Sequence, residues 1–381
     1  MLCKNSSLTS LNLSNIQLGT INVNFISSFF KQSGVKALAN VLCKNSTLKD
    51  LNLSYNNIRP KAGKSLAYTL CKNSTLTSLD LCVNSFGTEG VKALASALCK
   101  NSTLKDLNLS YNNIGSEGGK ILADALCKNS TLTSLNLRYN KLDSEGGKAL
   151  ANALCKNSML KDLNLSYNNI GSEGGKALAD ALCKNSTLTS LNLRYNKLSS
   201  EGGKAFADAL CENSTLKHLI LSYNNLGSEE GKALADALCK NSTLISLYLK
   251  FNKLCSEGGK ALAHALCKNS TLKDLNLSYN NIGSEGKVIA DALCKNSTLT
   301  SLDLSSNELE SEEGKALAGA LCRNSTLKIL NLNYNNLGSE GVRPIADSLC
   351  KNSTLTSLSI QSNYIGFELK SNNPKLKIVQ Q

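Results

Sequence analysis

The chain has 381 residues and a formal charge of +13, with 42 Lys and Arg against 29 Asp and Glu, no tryptophan and three prolines. No apolar run approaches the roughly 20 residues that a membrane-spanning helix needs. Met1 leads straight into Leu2-Cys3-Lys4-Asn5 without a basic-then-apolar leader, so neither a membrane span nor a secretory signal is expected.

In chain order, one phrase restarts again and again: Leu-x-x-Leu-x-Leu-x-x-Asn-x-Ile/Leu. It begins at Leu8, Leu48, Leu76, Leu104, Leu132, Leu160, Leu188, Leu216, Leu244, Leu272, Leu299, Leu327 and Leu355. From Leu48 to Leu272 every step is 28 residues. Such a period outweighs any estimate of domain number from length, because single units cannot bury their leucines and stacked units can. The first copy is ragged: Ile16 stands where later copies have the turn asparagine. After it come about twelve extra residues around 20–33, with Phe25, Phe29 and Phe30. They read either as an amphipathic helix covering the open end or as a partner-binding insertion.

Leu160–Ile170 serves for the uniform copies. Leu163 and Leu165 alternate with Asn164 and Ser166, a short strand with one face buried and the other free. Asn168 turns the chain, and its amide can satisfy backbone groups of the bend and of the neighbouring coil. Asn363, near the end of the pattern, is expected to matter less. A helix is predicted next, with Ser172 as N-cap, Glu173 at its positive end, and Leu178, Ala179 and Leu182 facing the sheet. Its paired glycines would allow close approach to the strand layer. Helices about 10 Å apart cannot stack straight on strands about 4.8 Å apart, so a horseshoe with a concave parallel sheet is expected. Past Asn363 the pattern dissolves into a minimal cap and a frayed tail.

The stretch Asn-x-Leu/Ile-Gly-Ser-Glu-Gly-Gly-Lys-Ala-Leu-Ala-Asp-Ala-Leu resembles the ribonuclease-inhibitor class of leucine-rich repeat, which is also found in the sensor regions of NOD-like receptors. The resemblance covers residues 34–365. It implies an α/β solenoid of about thirteen strand–helix repeats over 1–365, a cap or tail over 366–381, and protein recognition on the concave face. Copies also alternate between two types (from Lys161 and from Thr189, for instance), and this 56-residue super-period is similar to that of ribonuclease inhibitor itself.

Thirteen of the fifteen cysteines occupy one repeat position, Cys3 to Cys350, and only Cys82 and Cys255 fall elsewhere. Neighbouring ladder cysteines about 10 Å apart are too distant for disulfides, which need Cα atoms within roughly 7 Å. The ladder reads as small buried hydrophobes that resist modification, with Cys82 and Cys255 reacting first, in a reduced, cytoplasmic chain. Lys or Arg follows the ladder cysteine in twelve of thirteen copies, so much of the positive charge sits at helix C-termini rather than in a groove.

No catalytic set emerges. Gly115-Ser116-Glu117-Gly118-Gly119-Lys120 is one residue short of a phosphate loop and recurs as a helix start. His218 and His264 stand alone, without metal-ligand spacing. Asn-Ser-Thr recurs as a formal glycosylation acceptor, read here as the polar link from helix to strand. No cofactor, metal or small-molecule substrate is expected.

The free strand face shows Asp50, Asp80, Asp106, Asp162, Asp274 and Asp303, and an aromatic row runs beside it from Tyr111 to Tyr279. Departures from the repeat cluster in the middle copies. The candidate partner-binding residues are Arg138, Tyr139, Arg194, Tyr195, His218, Tyr223, Tyr248, Lys250 and Phe251. Tyr and Arg dominate protein interfaces, and the cations would select an acidic or mixed-charge protein partner. Interspersed aspartates argue against nucleic acid, and nothing suggests a membrane. Two alternatives share the fold: a ribonuclease inhibitor, whose basic target wants a dominantly acidic face, and a Ran-type GTPase-activating protein, which carries an acidic tail where Lys370 to Gln381 is basic.

Overall fold

The computed structural model describes residues 5–18 and 32–380, and its contacts divide the chain into two compact units, Met1–Asn196 and Lys197–Gln381. The insertion around 20–33, with Phe25, Phe29 and Phe30, lies outside the described residues apart from the start of the first helix.

The first unit carries strands β1 (Ser10–Asn12), β2 (Asp50–Asn52), β3 (Ser78–Asp80), β4 (Asp106–Asn108), β5 (Ser134–Asn136), β6 (Asp162–Asn164) and β7 (Ser190–Asn192). Helices alternate with them: α1 (Gln32–Leu42), α2 (Pro60–Leu70), α3 (Gly87–Leu98), α4 (Gly115–Leu126), α5 (Ser144–Leu154) and α6 (Gly171–Leu182). All strand pairs are parallel and in register, so Leu107, Leu135, Leu163 and Leu191 stand in one line. The second unit repeats the plan with α7 (Ser199–Glu212), β8 (His218–Ile220), α8 (Ser228–Lys240), β9 (Ser246–Tyr248), α9 (Cys255–Leu266), β10 (Asp274–Asn276), α10 (Gly286–Lys295), β11 (Ser301–Asp303), α11 (Ser311–Arg323), β12 (Ile329–Asn331), α12 (Gly338–Leu349), β13 (Ser357–Ser359) and β14 (Lys377–Val379). This is an α/β leucine-rich-repeat solenoid. Leu163, Leu165, Leu178 and Leu182 are buried, as the spacing predicts, and each such side chain contributes about 1.5–3 kcal/mol.

Two asparagines per repeat hold the coil together. The turn asparagine is the one expected: Asn168 Nδ2 donates to Leu165 O (2.8 Å) in its own repeat and to Leu137 O (3.1 Å) in the one before. Its Oδ1 accepts from the amides of Asn140 (2.9 Å) and Leu142 (3.0 Å). The second ladder comes from the Asn-Ser-Thr link, which reads Asn157-Ser158-Met159 in the central copy. Asn157 Nδ2 donates to Leu126 O at 2.8 Å, while its Oδ1 accepts from the amides of Met159 and Leu160 at 3.0 and 2.8 Å. Sequence reading saw only a polar link there. The side chain is in fact buried and fully engaged, and so is that of Asn185 in an Asn-Ser-Thr copy, which leaves no amide for a glycan.

Several expectations need correction. Ser172 is not an N-cap: α6 starts at Gly171, whose φ of +66° makes the bend, and no side chain caps that helix. Where a helix is capped, the residue three after the turn asparagine does it. Asp143 accepts from the amides of Glu145 and Gly146, and Glu310 forms a capping box with Glu313. The paired glycines make room for the next repeat rather than for the strand layer. A Cβ on Gly147 would stand 2.8 Å from Ile170 Cγ2 and 3.2 Å from Gly174 Cα, both in the repeat that follows. The tail is not frayed either, because β14 pairs in parallel with β13 and extends that sheet. Asn363 is 1% exposed, with Nδ2 donating to Leu332 O at 2.8 Å, so it is no more open than Asn168 at 5%.

Two predictions follow from the turns. Asn168→Ala and Asn363→Ala should each cost about 1–3 kcal/mol, by stranding buried backbone groups, and urea unfolding measures both. A negligible cost at Asn363 would mean that its bonds to Leu332 O and Ile360 O do not hold the last turn. Cys255 (φ +54°) occupies the left-handed position that is glycine in several other copies, Gly171 among them, and Gly171 has no atom within 4 Å of an added Cβ. Cys255→Gly should therefore stabilise, and Gly171→Cys destabilise, each by about 1 kcal/mol. Effects of equal sign would show that backbone strain does not decide these positions.

Candidate functional site

The residue before each turn asparagine also lies in the left-handed region: Tyr111, Tyr139, Tyr167 and Tyr195 all have φ between +55° and +58°. An L-residue pays roughly 1–2 kcal/mol there. The asparagine bonds that fix the turn offset this cost, and every ring is thereby aimed the same way. In the first unit Tyr111 stacks on Tyr139 (centroids 4.5 Å apart, planes 16°) and Tyr167 on Tyr195 (4.8 Å, 16°). Arg138 joins the two pairs, its Cζ 4.5 Å from the centroid of Tyr167 and 5.6 Å from that of Tyr111. Arg194 lies 5.5 Å from Tyr167 and 6.0 Å from Tyr195. Arg138, Tyr139, Arg194 and Tyr195 are thus brought together, with Tyr111 and Tyr167 as the partners that the nine candidates omitted.

On the strands, Asp106 and Asp162 alternate with Ser134 and Ser190 at one register position. Burial pushes the Asp106 carboxyl up; a hydrogen bond from Ser134 opposes this, and the charges of Asp162, Asp80 and Asp50 add to the rise. The acid row and the arginines fall in alternate repeats, so the exposed face carries mixed charge.

In the second unit Tyr223 stacks on Phe251 (4.9 Å, 13°), and Lys250 Nζ lies 4.6 Å from the centroid of Tyr279. Two other candidates are tied into the sheet face. His218 Nδ1 is 2.8 Å from Ser246 Oγ, and the Tyr248 hydroxyl donates to Asp274 Oδ2 at 2.5 Å. Burial, with the hydrogen bond and charge of Asp274, pushes the Tyr248 phenol up to about 12.

The cysteine ladder overturns its expectation. Cys71, Cys99, Cys127 and Cys155 are exposed free thiols and Cys183 is exposed, because each sits at the C-cap, one residue beyond the buried leucine and rotated off the sheet-facing stripe. Cys82 is half-buried, as are Cys43 and Cys294 of the ladder; Ser110 Oγ donates to its sulfur at 3.0 Å, and burial pushes the thiol up. Among the described residues no cluster of His, Cys, Asp and Glu could hold a metal ion, and no helix is long and apolar enough to cross a membrane.

The family described as the MHP1/HER1/GIP3 leucine-rich-repeat domain matches residues 112–363, and a general leucine-rich-repeat family matches 44–67, 72–95 and 100–123. The chain belongs to the MHP1/HER1/GIP3 leucine-rich-repeat family. No curated protein matches it. Among solved structures it is similar to a chain of the yeast Rad7–Elc1 complex, with 18% identity over 91% of this chain and 87% of that one and a TM-score of 0.56. It is also similar to an internalin (InlF) of Listeria monocytogenes, with 20% identity over 98% of this chain and 86% of that one and a TM-score of 0.56. At these identities the likeness is one of fold. Domains of this family's fold serve in general as protein–protein interaction scaffolds and are typically non-catalytic.

Two measurements check the geometry. With a thiol reagent at mildly alkaline pH, ladder cysteines such as Cys99 and Cys127 should label in the native protein and Cys82 should lag; labelling of Cys82 first would contradict its burial. The raised phenol of Tyr248 means that the folded chain holds this proton more tightly than the unfolded chain. Its stabilisation is full below pH 10 and lost as pH climbs toward 12. The stability advantage of wild type over Tyr248→Phe should shrink across that window, and a constant difference would exclude the contact with Asp274.

Proposed function

We propose that the chain is a non-catalytic recognition scaffold that binds a protein of acidic or mixed charge through its exposed sheet face and the adjoining aromatic row. The observation that carries this reading is Arg138, held between Tyr111 and Tyr167 before any partner arrives. Side chains already fixed by stacking lose little entropy on binding and keep broad faces for contact. Arg194, Tyr139 and Tyr195 extend the patch in the first unit; Tyr223, Phe251, Lys250, Tyr248 and His218 form the corresponding face of the second. The alternating Asp106 and Asp162 favour a mixed-charge protein over nucleic acid, whose phosphates they would repel. A chain of the yeast Rad7–Elc1 complex shares the fold, in keeping with the fold as a platform for protein partners.

The strand–helix unit supports a ribonuclease-inhibitor-like class of repeat and, with it, the sensor region of a NOD-like receptor as the fitting role. The arginines on the recognition face weigh against a ribonuclease inhibitor proper and give a Ran-type GTPase-activating protein no support. The many exposed thiols fit a reducing, cytoplasmic setting.

The test uses a purified partner titrated against variants. Arg138→Ala with Arg194→Ala, or Lys250→Ala with Phe251→Ala, should weaken binding at least about tenfold, as removal of hot-spot residues does. Lys128→Ala with Lys184→Ala, on the helix side, should leave it intact. Loss with the helix-side pair and none with the others would move recognition off the sheet face.

A further inference from the structure

In the second unit the aromatic row runs Tyr223, Phe251, Tyr279 and then breaks: Ser306 holds the next place, and Tyr334 resumes the row. The break coincides with the one copy that is a residue short, between Asn280 and Asn307, where a 3-10 turn (Gly283–Glu285) replaces the ordinary helix start. It leaves an opening of about 440 Å³ between Tyr279 and Tyr334, floored by Ser306 and edged by Asn281, Glu308 and Asn336.

Three features of this opening go together. Strands are about 4.8 Å apart, so rings two repeats apart leave room for one planar group, which would stack on both sides at the kind of separation that Tyr223 and Phe251 keep (4.9 Å). Both flanking rings are exposed, and the residues that touch Tyr279, Phe251 and Lys250, come from the preceding repeat. Glu308 places the one carboxylate of its row, where neighbouring copies have Asn225, Lys253, Asn281 and Asn336. Asn281 Nδ2 donates to Glu308 Oε1, which orients the carboxylate and leaves its second oxygen for an incoming donor.

We infer that this gap is a binding slot for the guanidinium of an arginine side chain on a protein partner. A guanidinium is planar and cationic and donates in the plane, so it stacks between the tyrosines while its edge meets Glu308. An ammonium lacks the plane, and a neutral ring leaves the carboxylate unanswered. Only the identity of the arginine's carrier rests on the proposed protein-recognition role; the slot itself does not.

The intact chain is labelled with 3-fluorotyrosine, the signals of Tyr279 and Tyr334 are assigned from their Tyr→Phe variants, and N-acetyl-arginine amide is titrated by fluorine NMR. Those two signals should shift saturably, with N-acetyl-lysine amide and N-acetyl-tyrosine amide at least about fivefold weaker. Ser306→Tyr, which rebuilds the row with the residue its neighbours carry and so should fold, should weaken binding about tenfold or more, and Glu308→Gln about fivefold. The Arg138→Ala, Arg194→Ala protein should still bind the probe, which separates this slot from the recognition face. Absence of saturation, equal binding of the lysine amide, tighter binding of the tyrosine amide, or full binding by Ser306→Tyr would each overturn the proposal.

Discussion

Each 28-residue coil leaves backbone amides and carbonyls that no helix or strand can pair, and two buried asparagines take them. Asn168 and its equivalents close the outgoing turn, and Asn157 and its equivalents close the return from helix to strand. Each amide reaches its own repeat and the one before, so the bonds that shape a repeat also set its distance from its neighbour. An unpaired buried backbone group costs about 1–3 kcal/mol, and the burden recurs in every copy. The leucines supply the drive to stack; the asparagines decide the geometry in which stacking happens.

That geometry makes the face usable. With the turn fixed, the preceding residue is forced into the left-handed region, and a tyrosine there has its ring set by the backbone rather than by free rotation. The stacks Tyr111–Tyr139 and Tyr167–Tyr195, with Arg138 between them, follow from this constraint, as does the consequence of Ser306: dropping one ring from a row of fixed pitch opens a gap of defined width. Affinity in such a surface comes from side chains ordered in advance.

Much of this was legible in the letters. The spacing of Leu163, Leu165, Leu178 and Leu182 gave strand, helix and buried faces, and Asn168 announced its own role. The cysteines misled because hydrophobic type was allowed to stand for position: Cys183 directly follows Leu182, and one residue of helix rotates about 100°, enough to leave the core. Ser172 misled because the chain bends at Gly171 through a positive φ, which begins the helix before a side chain can cap it. The link asparagines looked like surface polarity, since nothing local reveals that the preceding helix end closes over them. Lys377-Ile378-Val379 gave no sign of joining the sheet because it carries no leucine phrase, and the tyrosine–arginine contacts depend on side-chain direction that spacing alone does not encode.

The most direct test is amide hydrogen exchange across one repeat, read by mass spectrometry or NMR. The amides of Leu142 and Leu160, which lie outside helix and strand but donate to Asn168 and Asn157, should be protected as strongly as the amide of Leu165, which donates to the backbone carbonyl of Asn192 in the next repeat. Exchange of Leu142 and Leu160 at the rate of an open loop, with Leu165 still protected, would show that the asparagine side chains do not hold the coil.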